Sequence, residues 1–297
     1  MYDIKVAVIL VNYNTIEHTM ECIESIFKSK FEGSLEVIVV DNASNDQCKS
    51  IIQHSYLEDK VFVIENSKNY GFAKANNIGI KQAIVNKCTH ILVLNNDTVI
   101  DENAIQRLYE GYKNHCNIGL ATGKILNYYN RNVIWYAGGK LSAIKGDAKV
   151  FGFNKKDSIE YSREIICDFA SGCCMFGDIE LFKNINFPEQ YFLYYEDVDF
   201  CQMLLKNNRK IIFCPEAIIY HKESVSTKKK SYSYSYYFTR NRFMYIASNY
   251  HGHNKLLPMI YTMVWLVKKI VFKELECKGV ISGMKDYRRG AVGEKKD

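Results

Sequence analysis

Two familiar nucleotide-binding signatures are missing from the sequence. No G-x-G-x-x-G follows the first apolar segment, and no G-x-x-x-x-G-K-[ST] occurs anywhere. Their absence argues against a conventional dinucleotide-dependent enzyme and against a P-loop NTPase. Low-complexity tracts are missing too, and the content of 47% hydrophobic and 24% charged residues is typical of a globular chain. At 297 residues, the chain is long enough for one large domain or a domain with an appendage.

The sequence also lacks segments that would carry it into or across a membrane. The N-terminal MYDIKVAVILVNYN leads from a short apolar run into polar residues, without the cleavage site of a secretory signal. The apolar stretch LLPMIYTMVWLV, at 256–267, has 12 residues, whereas a membrane-spanning helix needs about 20. We therefore expect a cytoplasmic protein.

The ten cysteines follow no zinc-binding or disulfide pattern. They form no C-x-x-C pair and have no histidine partners at zinc spacing. Because no export signal is apparent, we expect them to be reduced side chains in the core. Only the adjacent Cys173 and Cys174 suggest a reactive role.

Acidic residues are scarce at one end of the chain. From residue 222 onward there are 16 Lys and Arg against 6 Asp and Glu, whereas the preceding residues hold 23 against 27. The net charge of +6 therefore combines an acidic body with a basic tail. The tail, rather than the whole molecule, favours a negatively charged partner.

The first hundred residues alternate short β-branched runs with helical periods. Buried strands are predicted at Val6–Val11 and Leu35–Val40, and two more in VFVIEN and HILVLNND. Asn14 and Glu17 have the spacing of a capping box at the start of the first helix. This alternation is typical of parallel β-α-β units.

Beyond residue 100 the pattern is less regular. A helix is predicted near 102–114, and the glycines of WYAGGKLSAIKGDAKVFGF predict smaller mixed or antiparallel strands that cover part of the crevice. EDVDFCQMLLKNN predicts an amphipathic helix, and KIIFCPEAIIYH predicts a strand that ends on His221. The tail after it is basic and rich in tyrosine.

Polar side chains follow all four of the early strands. Asn12, Asp41, Asn66 and Asn95 each come after the last apolar residue of a strand. Because the carboxyl ends of parallel strands share one edge of a sheet, these residues predict a ligand site there. Asp41 can accept from a pyrimidine imide or a ribose hydroxyl, and Tyr13 can stack on a base. Turn-forming roles explain any single one of the four equally well.

A carboxylate in LNND, at 94–97, also lies at a strand end. Asp97 with the amides of Asn95 and Asn96 suits a hard divalent cation that bridges substrate phosphates. His221 ends a later strand and can add a nitrogen ligand of the kind that manganese accepts. A structural role for this histidine is the alternative.

Three carboxylates are crowded into four positions of YYEDVDFC. Glu196, Asp197 and Asp199 stand just before or within the first turn of the predicted helix. The simplest explanation is a solvated helix start, since acidic side chains there are stabilised by about 0.3 to 1 kcal/mol each. A catalytic carboxylate is the alternative.

The order of these motifs resembles that of a known family. VILVNYN, VIVVDNAS, NYGFAKANNIGI, LVLNNDTVI, FASGCCMF and YFLYYEDVDFC, followed by His221 and TRNR, are similar in sequence and spacing to bacterial family-2 glycosyltransferases, particularly the rhamnosyltransferase-like branch. The resemblance spans roughly residues 4–245. It implies an α/β GT-A fold, with a mostly parallel nucleotide-binding sheet flanked by helices, a smaller mixed sheet and a C-terminal helical basic tail. The implied domain is 1–221, divided into a donor half at 1–100 and an acceptor half at 101–221, with the tail at 222–297.

The resemblance also implies a chemistry. It implies inverting transfer of a sugar from a dTDP- or UDP-sugar to a hydroxyl of a cell-surface glycan or lipid-linked saccharide. Asp197 would be the catalytic base, with a pKa raised by its neighbouring carboxylates, and Asp199 would support it. Asp97 and His221 would bind Mg²⁺ or Mn²⁺, although Asn95 replaces the first acid of the family's D-x-D motif and implies modest metal affinity. The acceptor-binding positions would be Gly172, Cys173 and Glu196. The donor-binding positions would be Val11, Tyr13, Asp41, Asn42, Gly71, Phe72, Asn77, Asn95, Asn96 and Asp97.

Three other functions fit parts of the sequence. A sugar-nucleotide nucleotidyltransferase also binds at a sheet edge, but its Gly-rich phosphate loop is replaced here by NYNTIEHT. A non-catalytic carbohydrate- or nucleotide-binding relative would have lost the acid at 97 or 197, and both acids are present. Nucleic acid could bind STKKKSYSYSYYFTRNR, but the acidic body disfavours it.

The apolar stretch at 256–267 has two interpretations. With Tyr261 and Trp265 as anchors and lysines at both flanks, it suits a helix lying on an anionic membrane, such as the inner face of the cytoplasmic membrane. An ordinary core helix or a homodimer contact explains it equally well.

Overall fold

The computed structural model describes residues 4–56, 60–222 and 231–295. Within these residues the strands are β1 (Lys5–Asn12), β2 (Ser34–Asp41), β3 (Val61–Glu65), β4 (His90–Leu94), β5 (Thr98–Ile100), β6 (Ile118–Asn127), β7 (Ile134–Tyr136), β8 (Gly139–Ser142), β9 (Asp147–Val150), β10 (Ile165–Cys167), β11 (Cys174–Asp178) and β12 (Lys210–His221). The α-helices are α1 (Ile16–Phe27), α2 (Cys48–Ser55), α3 (Gly71–Val85), α4 (Ala104–Lys113), α5 (Ile179–Asn184), α6 (Glu196–Lys206), α7 (Tyr232–Asn249), α8 (Leu256–Val271) and α9 (Cys277–Arg288).

Ten strands form one mixed sheet. Its main path runs β10-β12-β6-β11-β4-β1-β2-β3, with β5 beside β12 and β7 beside β6. The strands β3, β2, β1 and β4 are mutually parallel, which confirms the predicted β-α-β units. The apolar residues of β1 and β2, including Val6–Leu10 and Val37–Val40, are fully buried. Their burial explains the unbroken β-branched runs, because helices cover both faces of such a sheet and leave no solvent-facing positions for polar residues.

Helix α1 begins differently from the prediction. The predicted capping box of Asn14 and Glu17 is wrong. The residue at the N-cap of α1 is Thr15, and its side chain makes no capping hydrogen bond. Asn14 instead adopts φ of 56° and accepts from the backbone N–H of Asn45. The first helical N–H, that of Ile16, donates to Asp46 Oδ2 at 2.9 Å. The cap is therefore supplied by the loop after β2.

The second half of the fold extends the same sheet. Strand β11 is antiparallel to both β4 and β6, and β12 returns parallel to β6. The predicted helix near 102–114 is α4, and the predicted strand ending on His221 is β12. The smaller separate sheet is the antiparallel pair β8 and β9. The expected α/β architecture, with a large sheet flanked by helices, a smaller sheet and C-terminal helices, is thus confirmed.

The C-terminal helices pack closely on the rest of the chain. Tyr245 and Ile246 of α7 are fully buried in the main core. Helix α9 approaches α7 through Gly279 and Gly283, at which an added Cβ would lie 2.6 Å from the carbonyl oxygens of Tyr232 and Tyr236. Among the described residues, no helix combines the length and apolarity required to cross a membrane. The lysines at 228–230, on which the nucleic-acid interpretation depended, lie outside the described residues.

Candidate active site

The carboxyl ends of the parallel strands gather the predicted polar residues. Strands β1 and β2 pair in a register that sets Asn12 beside Asp41, and Asn12 Nδ2 donates to Asp41 Oδ1 at 3.2 Å. Asn66, after β3, donates its backbone N–H to the Asp41 carbonyl oxygen at 2.8 Å. Asn95 follows β4, the other neighbour of β1. The four residues therefore mark one edge of the sheet.

A cavity opens at the β2 end of this edge. Its volume of about 580 Å³ is within the range of small-molecule sites. Asp41 forms part of its wall. Asp41 Oδ2 accepts a 3.4 Å bond from the Ser44 N–H, which leaves it able to accept a further donor. The Tyr13 ring is 43% exposed just beyond β1, while Val11 is half-buried within that strand. An acidic acceptor and an exposed ring are features that a nucleoside can use.

The same region holds an acidic cluster with the spacing of a metal site. One ligand atom each of Asp41, Asp46 and Cys48 lies within 4.8 Å of the others. Two features weaken it as a cation site. Asp46 already caps α1 and accepts from Asn12. Burial, together with the charges of Asp41 and Asp46, raises the pKa of the Cys48 thiol far above its usual value, so the thiolate that binds metals does not form readily.

A second carboxylate pairs with the histidine that ends β12. Pairing of β5 with β12 places Thr98 opposite His221, and His221 Nε2 lies 3.1 Å from Asp97 Oδ1. His221 is buried, and Asp97 is nearly so. His221 Nε2 faces the Asp97 carboxylate, while Nδ1 has no hydrogen-bond partner among the described residues. The structure thus brings the two predicted metal ligands together, with donor atoms that suit a divalent cation.

The electrostatics of this pair favour an ionised carboxylate. Burial is the largest single influence and would raise the pKa of Asp97, but contact with His221 together with smaller contributions holds that pKa below its usual range. The charge of His18 on α1 acts in the same direction. The Trp135 ring packs edge-on against the imidazole, with ring centroids 4.8 Å apart. Asp97 is therefore negatively charged at neutral pH, and the ring beside it is held by packing.

One short loop connects this pair with the predicted base. The Asn95 N–H donates to the Cys173 carbonyl oxygen at 3.0 Å, and the Gly172 N–H donates to Asp197 Oδ2 at 3.1 Å. A Cβ on Gly172 would lie 3.0 Å from the ring of Phe72, so only a glycine fits without displacing that ring. The loop at 171–174 therefore contacts the Asp97 turn on one side and Asp197 on the other.

Asp197 lies at the start of α6, as predicted, and its carboxylate is well oriented. Its Oδ1 accepts from the Val198 N–H at 2.8 Å, and its Oδ2 accepts from Gly172. Burial raises the pKa of Asp197 and outweighs these backbone hydrogen bonds, which act in the opposite direction. The predicted direction of the shift is therefore right. Its main cause is burial rather than repulsion between neighbouring carboxylates.

The two neighbouring acids have different surroundings. Glu196 is buried, and its Oε2 has no hydrogen-bond partner among the described residues. Burial, and next the charge of Asp197, raises the pKa of Glu196, so its neutral form is favoured. Asp199 instead accepts from Asn249 Nδ2 at 2.7 Å and from Gln190 Nε2 at 3.3 Å. Glu196 and Asp199 are buried and Asp197 is partly buried, so the three carboxylates are not a solvated helix start, and Asp199 braces α7.

The turn before α6 is strained and held from a distant helix. Tyr194 and Tyr195 have φ angles of 68° and 76°, a left-handed conformation that is unfavourable for bulky residues. Asn241, buried in α7, donates Nδ2 to the carbonyl oxygens of Leu193 and Tyr194 at 2.7 and 2.9 Å. Arg240 Nε donates to Asn241 Oδ1 at 2.9 Å. Both residues belong to the TRNR motif, and an Asn between two Arg in a tyrosine-rich helix is the sequence signal for this contact.

Two predicted donor residues use their amides in internal hydrogen bonds. Asn42 Nδ2 donates to the Gly71 carbonyl oxygen at 3.3 Å. Asn96 Nδ2 donates to the hydroxyls of Thr15 and Thr19, both at 2.8 Å. These bonds tie the ends of β2 and β4 to the neighbouring helices. In this arrangement both asparagines shape the sheet edge.

The predicted segment 71–77 packs against the chain that leads to α6. A Cβ on Gly71, whose φ is 77°, would overlap the Phe192 carbonyl oxygen, and that oxygen accepts from the Phe72 N–H at 3.1 Å. Asn77 exchanges two hydrogen bonds with the backbone of Phe187, at 2.9 and 3.0 Å. The start of α3 therefore positions the approach to Asp197.

The adjacent cysteines lack the features of a reactive pair. Cys173 and Cys174 are buried, and burial raises the pKa of both thiols, that of Cys174 to about 12. A reactive thiol needs a lowered pKa. All ten cysteines are free, and eight are buried, as expected of reduced core residues, whereas Cys116 and Cys277 are exposed.

Solved structures share this chain path and define the class of protein as a GT-A glycosyltransferase fold. TarS 1–349 from S. aureus matches with a TM-score of 0.62 and 18% identity, covering 97% of this chain and 81% of that one. The mannosyltransferase PcManGT from Pyrobaculum calidifontis, in complex with GDP-Man and Mn²⁺, matches with a TM-score of 0.59 and 13% identity, covering 97% and 76%. GalNAc-T7 with UDP, GalNAc and Mn²⁺ matches with a TM-score of 0.63 and 14% identity, covering 91% and 57%.

The sequence comparisons then give the family. The model of glycosyl transferase family 2 matches residues 7–185, so the chain belongs to that family and is a glycosyltransferase. It is similar to the low-salt glycan biosynthesis hexosyltransferase Agl10 of Haloferax volcanii, with 26% identity over 90% of this chain and 85% of that protein. It is also similar to the glycosyltransferase GlyG of Streptococcus pneumoniae serotype 4, with 32% identity over 42% and 39%. The family match ends before Asp197 and His221.

Proposed function

We propose that the chain is an inverting hexosyl- or rhamnosyltransferase that moves a sugar from a dTDP- or UDP-sugar to a hydroxyl of a glycan or lipid-linked saccharide. The observation that carries the proposal is the loop at 171–174. Through Gly172 it binds Asp197, and through Cys173 it binds the turn that contains Asp97. A base and a diphosphate site held by the same loop suit a single displacement, because both reacting groups are fixed in one frame.

Asp97 and His221 would hold the divalent cation, Mg²⁺ or Mn²⁺. Their oxygen and nitrogen donors suit Mn²⁺, and the 3.1 Å distance between His221 Nε2 and Asp97 Oδ1 supports a shared cation site there. When bound, the cation would neutralise charge on the leaving diphosphate. Asn95 is uncharged and cannot replace the missing carboxylate. The protein therefore supplies little negative charge of its own, and the cation is expected to bind together with the diphosphate of the donor.

Asp197 would act as the general base. Its two backbone hydrogen bonds fix the carboxylate without neutralising it. The acceptor hydroxyl would transfer its proton to Asp197 while its oxygen bonds to C1 of the donor sugar. The bond between C1 and the diphosphate breaks on the opposite face, and the electron pair leaves with the nucleoside diphosphate. Attack opposite to the leaving group inverts the configuration at C1.

Glu196 would bind the acceptor. Burial raises the pKa of its carboxyl and favours the neutral form, and its Oε2 has no hydrogen-bond partner among the described residues. A neutral carboxyl can donate to a sugar hydroxyl oxygen, which a carboxylate cannot do. Glu196 can therefore orient the acceptor without competing with Asp197 for its proton.

The nucleoside would lie at the opposite end of the sheet edge. Asp41 can accept from the imide N–H of uracil or thymine, or from a ribose hydroxyl, and Tyr13 can stack on the base. Both bases carry this imide, which is the reason that UDP- and dTDP-sugars are proposed together. Turnover of any one sugar nucleotide in a panel of both kinds, with a saccharide acceptor, supports the proposal. Binding without turnover across the panel would favour a non-catalytic binding protein.

Metal dependence of donor binding gives the first specific prediction. The affinity for UDP or dTDP should rise about tenfold or more when Mn²⁺ replaces EDTA, since each factor of ten needs only about 1.4 kcal/mol. Asp97→Ala and His221→Ala should each lose this rise, because they remove the proposed ligands. Isothermal titration calorimetry measures the affinity.

The control for this prediction is Cys48→Ser, in the other acidic cluster. It should keep the full Mn²⁺ effect, because its raised thiol pKa disfavours metal binding. Equal affinity in EDTA and Mn²⁺, or loss of the effect in Cys48→Ser alone, would contradict the Asp97 and His221 site.

A further inference from the structure

Helix α8 has one face on the protein and an unpartnered apolar face on the outside. Pro258, Thr262 and Leu266 are buried at intervals of four residues, so this side packs on the fold. On the outer side, five aliphatic side chains at intervals of three and four residues are each more than half exposed. This apolar row consists of Leu257, Ile260, Val264, Val267 and Val271. The spacing follows a single stripe of an α-helix.

The apolar row is part of a larger exposed patch. Leu256 and Phe272 extend it at the two ends and are 53% and 64% exposed, and Met263 flanks it. Contiguous patches of this kind usually mark an interaction site. The residues outside the described part hold few large apolar side chains, namely Met1, Tyr2, Leu57 and Val225. These residues have too little apolar surface to cover the row.

The charges around the apolar row are mainly positive, because the one acid at its end, Glu274, is paired with Lys269. Lys255 lies at its start, and Lys268 and Lys273 lie at its end, and all three are exposed. A second copy of the chain docked on the row in antiparallel fashion would bring the two lysine ends together, at an electrostatic cost. An anionic surface meets the same lysines with opposite charge. Charge complementarity therefore favours an anionic partner over a second copy.

The aromatic residues of the stretch do not form the outer face. Trp265 stacks on Phe238 of α7, with ring centroids 5.5 Å apart, and its ring faces the Arg242 guanidinium at 4.7 Å. Tyr261 is half-buried near the same arginine. Both are turned toward the protein rather than outward, contrary to the anchor role expected from the sequence. The outer face is aliphatic, and Phe272 is its exposed aromatic residue.

We propose that the apolar row is a docking surface for an anionic lipid bilayer. The helix would lie in the plane of the interface, with its aliphatic side chains at the boundary between headgroups and acyl chains. The lysines at its two ends would contact lipid phosphates. Such a contact needs no spanning helix. It also does not depend on the sugar-transfer proposal, because it uses none of the residues at the sheet edge.

Vesicle flotation tests this proposal on the full chain. Wild-type protein should float with vesicles of equal phosphatidylcholine and phosphatidylglycerol, and about tenfold less with phosphatidylcholine alone or in high salt, because surface charges are screened. Val264→Asp/Val267→Asp should lose flotation. Both sites are exposed, so the melting temperature should remain that of the wild type.

The matched control carries the same charge change elsewhere. Val85→Asp/Ile159→Asp replaces two aliphatic residues that are 71% and 85% exposed, and it should float like the wild type. Three results would overturn the proposal. The first is failure of the wild-type protein to float with anionic vesicles. The second is flotation of the α8 variant equal to that of the wild type. The third is a wild-type protein that does not bind lipid but is a dimer in light scattering, with the α8 variant a monomer.

Discussion

Asp197→Asn should lower the turnover number for sugar transfer by about 10²- to 10⁴-fold, the usual cost of losing an acid–base group. The amide retains the size of the carboxyl group and can still accept from the Gly172 or Val198 N–H. It cannot take a proton from the acceptor hydroxyl. Melting temperature and affinity for the nucleoside diphosphate should therefore stay close to wild type, while kcat falls.

The pH profile gives the same variant a second readout. Because burial raises the pKa of Asp197, the wild-type base is protonated at a higher pH than an ordinary aspartate. The turnover number should therefore fall as pH decreases, with its midpoint above the usual range for Asp. The residual activity of Asp197→Asn should lack this midpoint.

Two neighbouring acids serve as controls for Asp197. Asp199→Asn should have a smaller effect on kcat, because Asp199 contacts Asn249 and Gln190 rather than the loop at 171–174. Glu196→Leu should raise KM for the acceptor more than it lowers kcat, because it removes a hydrogen bond that is made equally in the bound state and in the transition state. Near wild-type turnover in a folded Asp197→Asn protein would mean that the base lies elsewhere.

Asn241→Leu should lower kcat by about tenfold to a hundredfold, although Asn241 does not touch the proposed substrate site. It leaves the carbonyl oxygens of Leu193 and Tyr194 and the Arg240 Nε without their partner, each at a cost of roughly 1 to 3 kcal/mol. The strained turn before α6 is then free to relax, and small displacements of a catalytic group are costly. Asn241 would thus be a positioning residue for Asp197.

A general loss of stability has to be separated from this effect. Thr262 of α8 accepts a hydrogen bond from Nε of the buried Arg242. Thr262→Val removes this acceptor and should lower the melting temperature without changing kcat. Asn241→Leu should lower kcat and leave KM for the sugar nucleotide unchanged, because the donor site lies on other elements. Equal kcat values for Asn241→Leu and wild type, or equal losses in both variants, would show that Asn241 is only structural.

The elements that the sequence predicted well depend on local patterns. Unbroken β-branched runs identified β1 and β2, since a strand buried on both faces leaves no polar alternation. The pairing of Asp97 with His221 followed from two strand ends and from the resemblance to the family. The strand runs and the two strand ends can each be read within about ten residues of sequence, whereas the pairing of Asp97 with His221 joins distant parts of the chain and rests on the resemblance.

The features that the sequence did not predict depend on residues far apart in the chain. The cap of α1 comes from Asp46, and the clamp on the turn at Tyr194 comes from Asn241. Burial, which dominates the pKa of Asp197, depends on what packs around the start of α6. The inward orientation of Trp265 likewise depends on Phe238. Such contacts are set by tertiary packing, which a local pattern does not encode.

The most direct test of the account is the position of Mn²⁺ and diphosphate in crystals of the chain grown with Mn²⁺ and either UDP or dTDP. Anomalous scattering locates the ion. The account predicts a peak within bonding distance of Asp97 and His221, with diphosphate oxygens bound to the ion. The loop at 171–174 should lie between the ion and Asp197. A peak at Asp41 and Asp46, or a diphosphate bound away from the Asp97 turn, would contradict it.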